Sequence, residues 1–397
     1  MKIFNTEIPK ANPVLLAILT VLGALSFFLK GSIVAGNVLD IGIIICSIYF
    51  LFTKKGKFER FFTSPIVYII CAYCAFGFIT AIYNEVAILD FIYAYKAFMY
   101  AAICYQFIGK GDLKRSELET LYFYLSITFL IVYLVKRFLI GDGRPMLVVE
   151  NNYELMTLIF LYFSVYLSRE RASIVETILL GAVLIVSGSR SALVAGLIIV
   201  GFVMRPRSAK ALLGYGVVMV VAVLALQFVF TSRMDPDGLN GIDRVNFLNV
   251  FLRETSSWNP LQFLYGNRPL SPLSSEACGS LKYYKKLFSS ENGQICYSVI
   301  LHSFVLRTAF DHGLIGLIAI HSIFFFYMIR SGVSVVQGSV VMMAIIANGI
   351  SVSSLNNGFI VLGIVSILLA EKNSDALLNL KSSSRKQFKR RHRGVQV

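Results

Sequence analysis

Long apolar segments are the feature that most constrains how this chain can fold. About 20 apolar residues in a helix cross the roughly 30 Å hydrocarbon core of a bilayer. A soluble domain carries about 25% charged residues, whereas this chain of 397 residues carries 15%. The sequence therefore predicts an all-α, polytopic integral membrane protein that forms one transmembrane domain over 1–397. Twelve segments are interpreted as membrane spans: 13–29, 34–52, 64–83, 87–108, 119–138, 153–168, 172–188, 190–204, 209–230, 303–329, 332–350 and 356–370.

The distribution of basic residues predicts the orientation of these spans. Lysine and arginine concentrate in alternate short loops, TKKGKFER, GKGDLKRSE, RERA and RPRSAK, and in the C-terminal segment SRKQFKRRHRGVQV. Such loops stay in the cytoplasm under the positive-inside rule. We therefore expect both termini and the basic tail 371–397 on the inner side, and the long hydrophilic loop 231–302 on the outer side. Membrane topology thus explains the net charge of +15 without a nucleic-acid partner, and we expect the tail to bind anionic lipid.

Two of the six cysteines, Cys278 and Cys296, lie in the outer loop, where an oxidising compartment permits a disulfide. The sequence leaves open whether they form one. The other four lie within predicted spans, where cysteine commonly serves as a small packing residue.

Several polar residues are predicted to meet at the outer face. Arg144 and Glu150 lie in GDGRPMLVVENNYELM, Arg190 lies between two spans in IVSGSRSALVAG, and Arg244 begins an amphipathic stretch in the outer loop. His302 lies where the chain re-enters the membrane in LHSFVLRTAFDHGLIGL. Each has an ordinary alternative: Arg190 could extend to the lipid headgroups, Arg144 and Arg244 could be loop charges, and His302 could cap a helix. Their coincidence at one face is what favours a site.

The residue types in this set indicate the chemistry of group transfer from a lipid-linked diphosphate. Arginine forms paired hydrogen bonds to phosphate oxygens, so Arg144, Arg190 and Arg244 are candidates to bind the diphosphate. Histidine and carboxylate side chains can take a proton from an attacking hydroxyl, so His302 and Glu150 are the candidate catalytic residues. No cluster of metal ligands is evident in the sequence of the outer face. We therefore expect a reaction without a metal or another cofactor.

Three segments resemble motifs of the O-antigen ligase/polymerase superfamily: SGSRSAL, DRVNFLNVFLRETSSWNPLQFLYGNRPL and LHSFVLRTAFDHGLIGL. The similarity in order and topology covers about residues 140–320, and it departs from the family at Ser303, where asparagine is common. It implies a GT-C-type glycosyltransferase in the bacterial inner membrane, with a periplasmic active site and a glycan on undecaprenyl diphosphate as donor. It also implies diphosphate binding by Arg190 and Arg244 and a base or acceptor-orienting role for His302. Arg144 and Glu150 are added on physical grounds.

Within this superfamily, GRPMLVVENNYEL is more similar to the polymerases, which extend the glycan on a second carrier-linked repeat unit. We therefore expect an inverting O-antigen or surface-polysaccharide polymerase, with membrane lipid and a chain-length regulator as further partners. The first alternative is a ligase that delivers polymer to the lipid A core. Another is a polysaccharide or lipid transporter, in which Asp40 and Lys96 mark a pathway instead of forming a structural pair. A third is a structural partner of polysaccharide enzymes.

Overall fold

The computed structural model describes residues 33–53, 57–109, 111–169, 173–205, 243–267, 270–284 and 295–372. Regular structure in these ranges is helical, with no β-strand, which confirms the all-α prediction for the described part of the chain. The helices are α1 Ile33–Thr53, α2 Lys57–Phe62, α3 Pro65–Tyr83, α4 Ile88–Cys104, α5 Arg115–Leu134, α6 Asn151–Arg169, α7 Ile174–Ser187, α8 Arg190–Val203, α9 Asp243–Thr255, α10 Pro260–Tyr265, α11 Ser275–Ser280, α12 Phe304–Arg330, α13 Val335–Gly349 and α14 Gly358–Leu369. The predicted spans 13–29 and 209–230 and nearly all of the tail lie outside the described residues.

Within the described residues, four helices are long and apolar enough to cross a membrane: Pro65–Tyr83, Ile88–Phe107, Arg115–Leu139 and Phe304–Arg330. Helix α5 continues directly into a π-helical turn, Val135–Leu139, which lengthens it. Helices α7, α8, α13 and α14 are also apolar but shorter. These elements are compatible with a membrane protein, while the number of twelve spans and the GT-C arrangement stay predictions.

Helix α6 forms the centre of the bundle. Every residue from Asn151 to Ser168 is buried except Thr157, and the helix packs against α5, α8 and α14. A helix that is buried on all sides lies within a protein core and is not limited to one apolar face. The predicted span 153–168 is therefore a core helix that other helices surround.

The two ends of α6 carry different polar groups. Arg169, at its C-terminal end, contacts Glu119 of α5 at 2.5 Å and Glu176 of α7 at 3.0 Å. Asn151 and Asn152 lie at the other end, and Asn151 is about 27 Å from Arg169 along the helix at 1.5 Å per residue. The loops GKGDLKRSE and RERA, which were predicted to be cytoplasmic, adjoin the ion-pair end.

Helix α12 contains a break at Gly313, whose φ of 65° and ψ of −174° are not helical. The end of α10 packs onto this break backbone to backbone. A Cβ on Gly313 would overlap the carbonyl oxygen of Leu264, and a Cβ on Gly266 would lie 2.7 Å from the carbonyl carbon of Asp311. Only glycine fits these two positions, because the backbones leave no room for a side chain. The Asn267 N–H donates to the Phe310 carbonyl at 2.9 Å and holds the same contact.

The described part of the large loop contributes to a small buried cluster that it shares with α3, α4 and α12, and it contains one covalent cross-link. Cys278 and Cys296 form a disulfide with a Cα–Cα distance of 5.7 Å, so the structure resolves the alternative that the sequence left open. The cross-link lies among buried residues of the loop that pack against Phe310 of α12. This packing holds the loop against the N-terminal part of α12.

Candidate active site

His302 and Glu150 form the centre of the candidate site. His302 Nε2 lies 3.7 Å from Glu150 Oε2, and the two side chains are 16% and 36% exposed. The Tyr153 hydroxyl lies 3.3 Å from the same histidine nitrogen. On the other side of the ring, the Ser353 hydroxyl lies 3.5 Å from Nδ1. The pair is therefore partly accessible, and its orientation is set by α6 and by the loop after α13.

Glu150 is held as a carboxylate by its neighbours. Its Oε1 accepts a hydrogen bond from Asn152 Nδ2 at 2.7 Å. Burial raises the pKa of this carboxyl, but the contact with His302, the Asn152 amide and the charge of Arg144 outweigh that effect. The pKa of Glu150 consequently lies below its usual value, and the group is a stable anion at neutral pH.

Asn152 connects this pair to the serine-rich turn around Arg190. Its Oδ1 accepts hydrogen bonds from Ser189 at 2.5 Å and from Ser191 at 3.0 Å, the two residues that flank Arg190. The turn itself is built by Gly188, whose φ of 60° ends α7. These contacts explain the serines in the segment SGSRSAL. They hold the turn against α6, and Arg190 begins α8.

Arg144 interacts electrostatically with both parts of the site. Its charge attracts Glu150 and repels the guanidinium of Arg190. Guanidinium groups form paired hydrogen bonds to the oxygens of polyanionic ligands. The arrangement suits a ligand with several anionic oxygens.

Arg244 approaches the same region from the large loop. It is the second residue of α9, and its Nε donates to Ser351 Oγ at 2.7 Å. Ser351 is two residues from Ser353, which contacts His302. The structure thus brings the five predicted site residues to one end of the bundle.

Sequence reasoning placed Asn152 and Glu154 at the outer face but did not assign them a positioning role, and it missed Tyr153, Ser351 and Ser353. Glu154 is buried. Its carboxyl group accepts hydrogen bonds from the Tyr133 hydroxyl at 2.7 Å and from the Leu147 N–H at 2.6 Å, which shapes the loop that presents Glu150. The polar run SVSSLNN, which lies between two apolar segments, could have indicated Ser351 and Ser353. Polar residues beside membrane-spanning segments usually have polar partners.

Asp40 and Lys96, which the transporter alternative places on a pathway, form an ion pair. Lys96 donates to Asp40, as does the Tyr100 hydroxyl. The two side chains thus form the pair that the sequence analysis gave as the structural alternative. Among the described residues, no group of three or more His, Cys, Asp and Glu side chains could hold a metal ion.

A scan against protein-family models gives no match for this chain, and a search of curated proteins finds no significant relative. The resemblance to the O-antigen ligase/polymerase superfamily therefore depends on the three motifs alone.

Proposed function

We propose that this chain is a bacterial inner-membrane glycosyltransferase that polymerises oligosaccharide repeat units carried on undecaprenyl diphosphate. The observation that carries the proposal is the contact between His302 and Glu150 at a bundle end that also holds Arg144, Arg190 and Arg244. A proton acceptor beside several guanidinium groups is what an alcohol needs when it displaces a diphosphate.

The reaction is a direct displacement. The acceptor hydroxyl oxygen attacks the anomeric carbon of the donor glycan, the bond from that carbon to the diphosphate oxygen breaks, and its electron pair leaves with the carrier diphosphate. The hydroxyl proton passes to the His302–Glu150 pair. A single displacement inverts the anomeric configuration.

The arginines act on the leaving group. Negative charge on the bridging oxygen grows as the bond breaks, so donors that are already in place stabilise the transition state more than the bound donor. Arg190 and Arg244 belong to different elements, α8 and α9, and approach from two directions.

The periplasmic side is supported by the Cys278–Cys296 disulfide, because such bonds persist in oxidising compartments. The opposite end of α6, with Arg169 and its two glutamates, adjoins the loops assigned to the cytoplasm. The site and the disulfide loop would then face the compartment in which carrier-linked repeat units are joined.

The test is substitution in a strain that lacks the chromosomal copy. Arg190→Ala, Arg244→Ala and His302→Ala, each present at the wild-type level, should reduce formation of long glycan by about 10²–10³-fold, the range for loss of one preorganised donor. Arg253→Ala is the matched control, since Arg253 lies on α9 with Arg244 but pairs with the exposed Glu276. Full-length glycan from all three variants would contradict the proposal.

The deletion itself separates the proposed polymerase from a ligase and a transporter. Loss of a polymerase leaves single repeat units on the surface lipid, whereas loss of a ligase leaves long polymer on the carrier. Loss of a transporter would instead trap repeat units in the inner leaflet.

A further inference from the structure

The segment 255–267, TSSWNPLQFLYGN, has an unusual surface for a loop outside a membrane. It carries no charged residue. Its short helix α10 exposes four large apolar side chains, namely Leu261 at 64%, Phe263 at 48%, Leu264 at 40% and Tyr265 at 63%. Water-facing surfaces usually scatter such residues singly, and a contiguous group marks contact with a partner or a membrane.

This apolar surface adjoins an exposed part of helix α12. Leu264 and Gly266 pack on the backbone break at Gly313. Directly after the break, Leu314 and Ile315 are 49% and 46% exposed on a helix that is apolar enough to cross a membrane. In a membrane-spanning helix, exposed apolar residues of this kind face lipid. Helix α10 therefore continues a lipid-facing surface and does not begin a separate patch.

The position of the contact along α12 also indicates how deeply α10 lies in the bilayer. Gly313 lies nine residues after Phe304, which is about 14 Å of helix. A loop segment that reaches this far beside a span must satisfy its own backbone groups, because lipid offers no hydrogen-bond partners. The N-terminus of α10 does so: Asn259 accepts from the Gln262 N–H at 3.0 Å, and Gln262 accepts from the Asn259 N–H at 2.9 Å.

We propose that α10 is seated in the outer lipid leaflet, with Leu261, Phe263, Leu264 and Tyr265 among the acyl chains and Trp258 at the level of the headgroups. Trp258 packs on Phe263 and Phe310, with ring centroids 5.4 and 5.3 Å apart, and tryptophan is enriched at membrane interfaces. The large loop is thus held at the membrane by lipid as well as by α12. The inference depends on the proposed membrane placement and is independent of the catalytic roles.

Trp258 is the only tryptophan of the chain, so intrinsic fluorescence reports on this segment directly. The full-length protein is reconstituted into phosphatidylcholine vesicles with bromine atoms either near the carbonyl end or near the methyl end of the acyl chains. We expect bromine to quench Trp258, more strongly from the carbonyl end than from the methyl end, and aqueous iodide to quench it weakly.

Three variants, each with a single tryptophan in a Trp258→Phe background, report the surroundings of three further positions. Tyr265→Trp places the reporter on α10 and should be quenched by brominated lipid. Tyr283→Trp lies beside Lys282, is 71% exposed at the native tyrosine, and should respond to iodide instead. Ile318→Trp, at an exposed position of α12, reports membrane insertion of the span and should respond to bromine near the methyl end.

The outcomes separate the two proposals. Quenching of the Ile318→Trp reporter by brominated lipid, together with iodide-only quenching at Tyr265→Trp, would overturn the seating of α10 and leave the membrane placement intact. Absence of lipid quenching at both positions would overturn the placement and the seating together. Neither result depends on glycan synthesis, so failure of the catalytic proposal is recognised separately, by the alanine variants of the arginines and His302.

Discussion

At the scale of single residues, Asn152 joins several parts of the site. Its amide nitrogen binds Glu150, its side-chain oxygen binds Ser189 and Ser191, and its backbone carbonyl accepts from Asn348 at 3.3 Å. Removal of a buried amide leaves these partners with fewer hydrogen bonds. The cost of such a loss is about 1–3 kcal/mol for each buried group that stays unsatisfied.

Asn152→Ala should therefore lower the thermal unfolding temperature in detergent and reduce glycan synthesis together. Asn84→Ala is the control, because Asn84 is an exposed asparagine that follows α3. Normal stability and activity of Asn152→Ala would show that the turn around Arg190 is positioned by other contacts.

The lowered pKa of Glu150 gives a prediction for pH dependence. A carboxyl whose folded-state pKa lies below its usual value of 4.5 contributes stability that is present above about pH 4.5 and is lost as the pH falls through the folded-state pKa. The gap in unfolding temperature between the wild type and Glu150→Gln should therefore be widest near neutral pH and narrow on acidification. Thermal scans from about pH 7 to about pH 3 measure it, with the exposed Glu85→Gln as control. A difference in unfolding temperature between the two proteins that stays constant across this pH range would contradict the charged state of Glu150.

The residue types of the site could be predicted from the sequence, but their partners could not. Arginine and histidine at an apolar boundary are informative because their burial is costly. Tyr153, by contrast, lies 149 positions from the His302 it contacts, and Ser353 lies 51 positions away. Such pairs arise from helix packing, which no local pattern encodes.

At the scale of elements, the break in α12 depends on Gly313. Its backbone conformation is essentially restricted to glycine, at a cost of about 1–3 kcal/mol for another residue, and a Cβ would also overlap Leu264. Gly313→Ala should thus lower the unfolding temperature. Gly181→Ala is the matched control: a Cβ there meets nothing within 4 Å, and alanine favours a helix by about 1 kcal/mol. Equal effects of the two changes would contradict the backbone contact.

The Cys278–Cys296 disulfide stabilises the large loop. Closing a loop of 18 residues stabilises the folded state by about 3 kcal/mol in the chain-entropy description. The double variant Cys278→Ser/Cys296→Ser should unfold at a lower temperature, and the denatured, unreduced wild type should react with thiol reagents only at Cys46, Cys71, Cys74 and Cys104. Labelling of Cys278 before reduction would show that the bond is absent.

At the scale of the whole molecule, the orientation can be tested by chemical labelling. Ser256, after α9, and Ser116, in the first turn of α5, are both exposed and belong to opposite ends of the bundle. In a background without the four free cysteines, a membrane-impermeant maleimide should label Ser256→Cys in intact spheroplasts and Ser116→Cys only after lysis. The reverse pattern would invert the proposed topology.

Most helices of the described chain were predictable to within a few residues because apolar length is a strong signal. Segment 64–83 corresponds to α3 Pro65–Tyr83, and segment 332–350 to α13 Val335–Gly349. Hydropathy did not distinguish the core helix α6 from a lipid-facing one, since both surroundings are apolar. It also did not predict the break at Gly313, which depends on a backbone contact with a distant loop.

That contact has a thermodynamic consequence. Gly266 and Gly313 meet through their backbones, so an alanine at either position forces the same two segments apart. Once the first alanine has separated them, the second adds little beyond its own backbone strain, and the two effects should fall short of additivity by about 0.5–3 kcal/mol in a double-mutant cycle. Amide exchange on both sides of the contact should then speed up together in either single variant, because the loop and the first turns of α12 open as one cooperative unit.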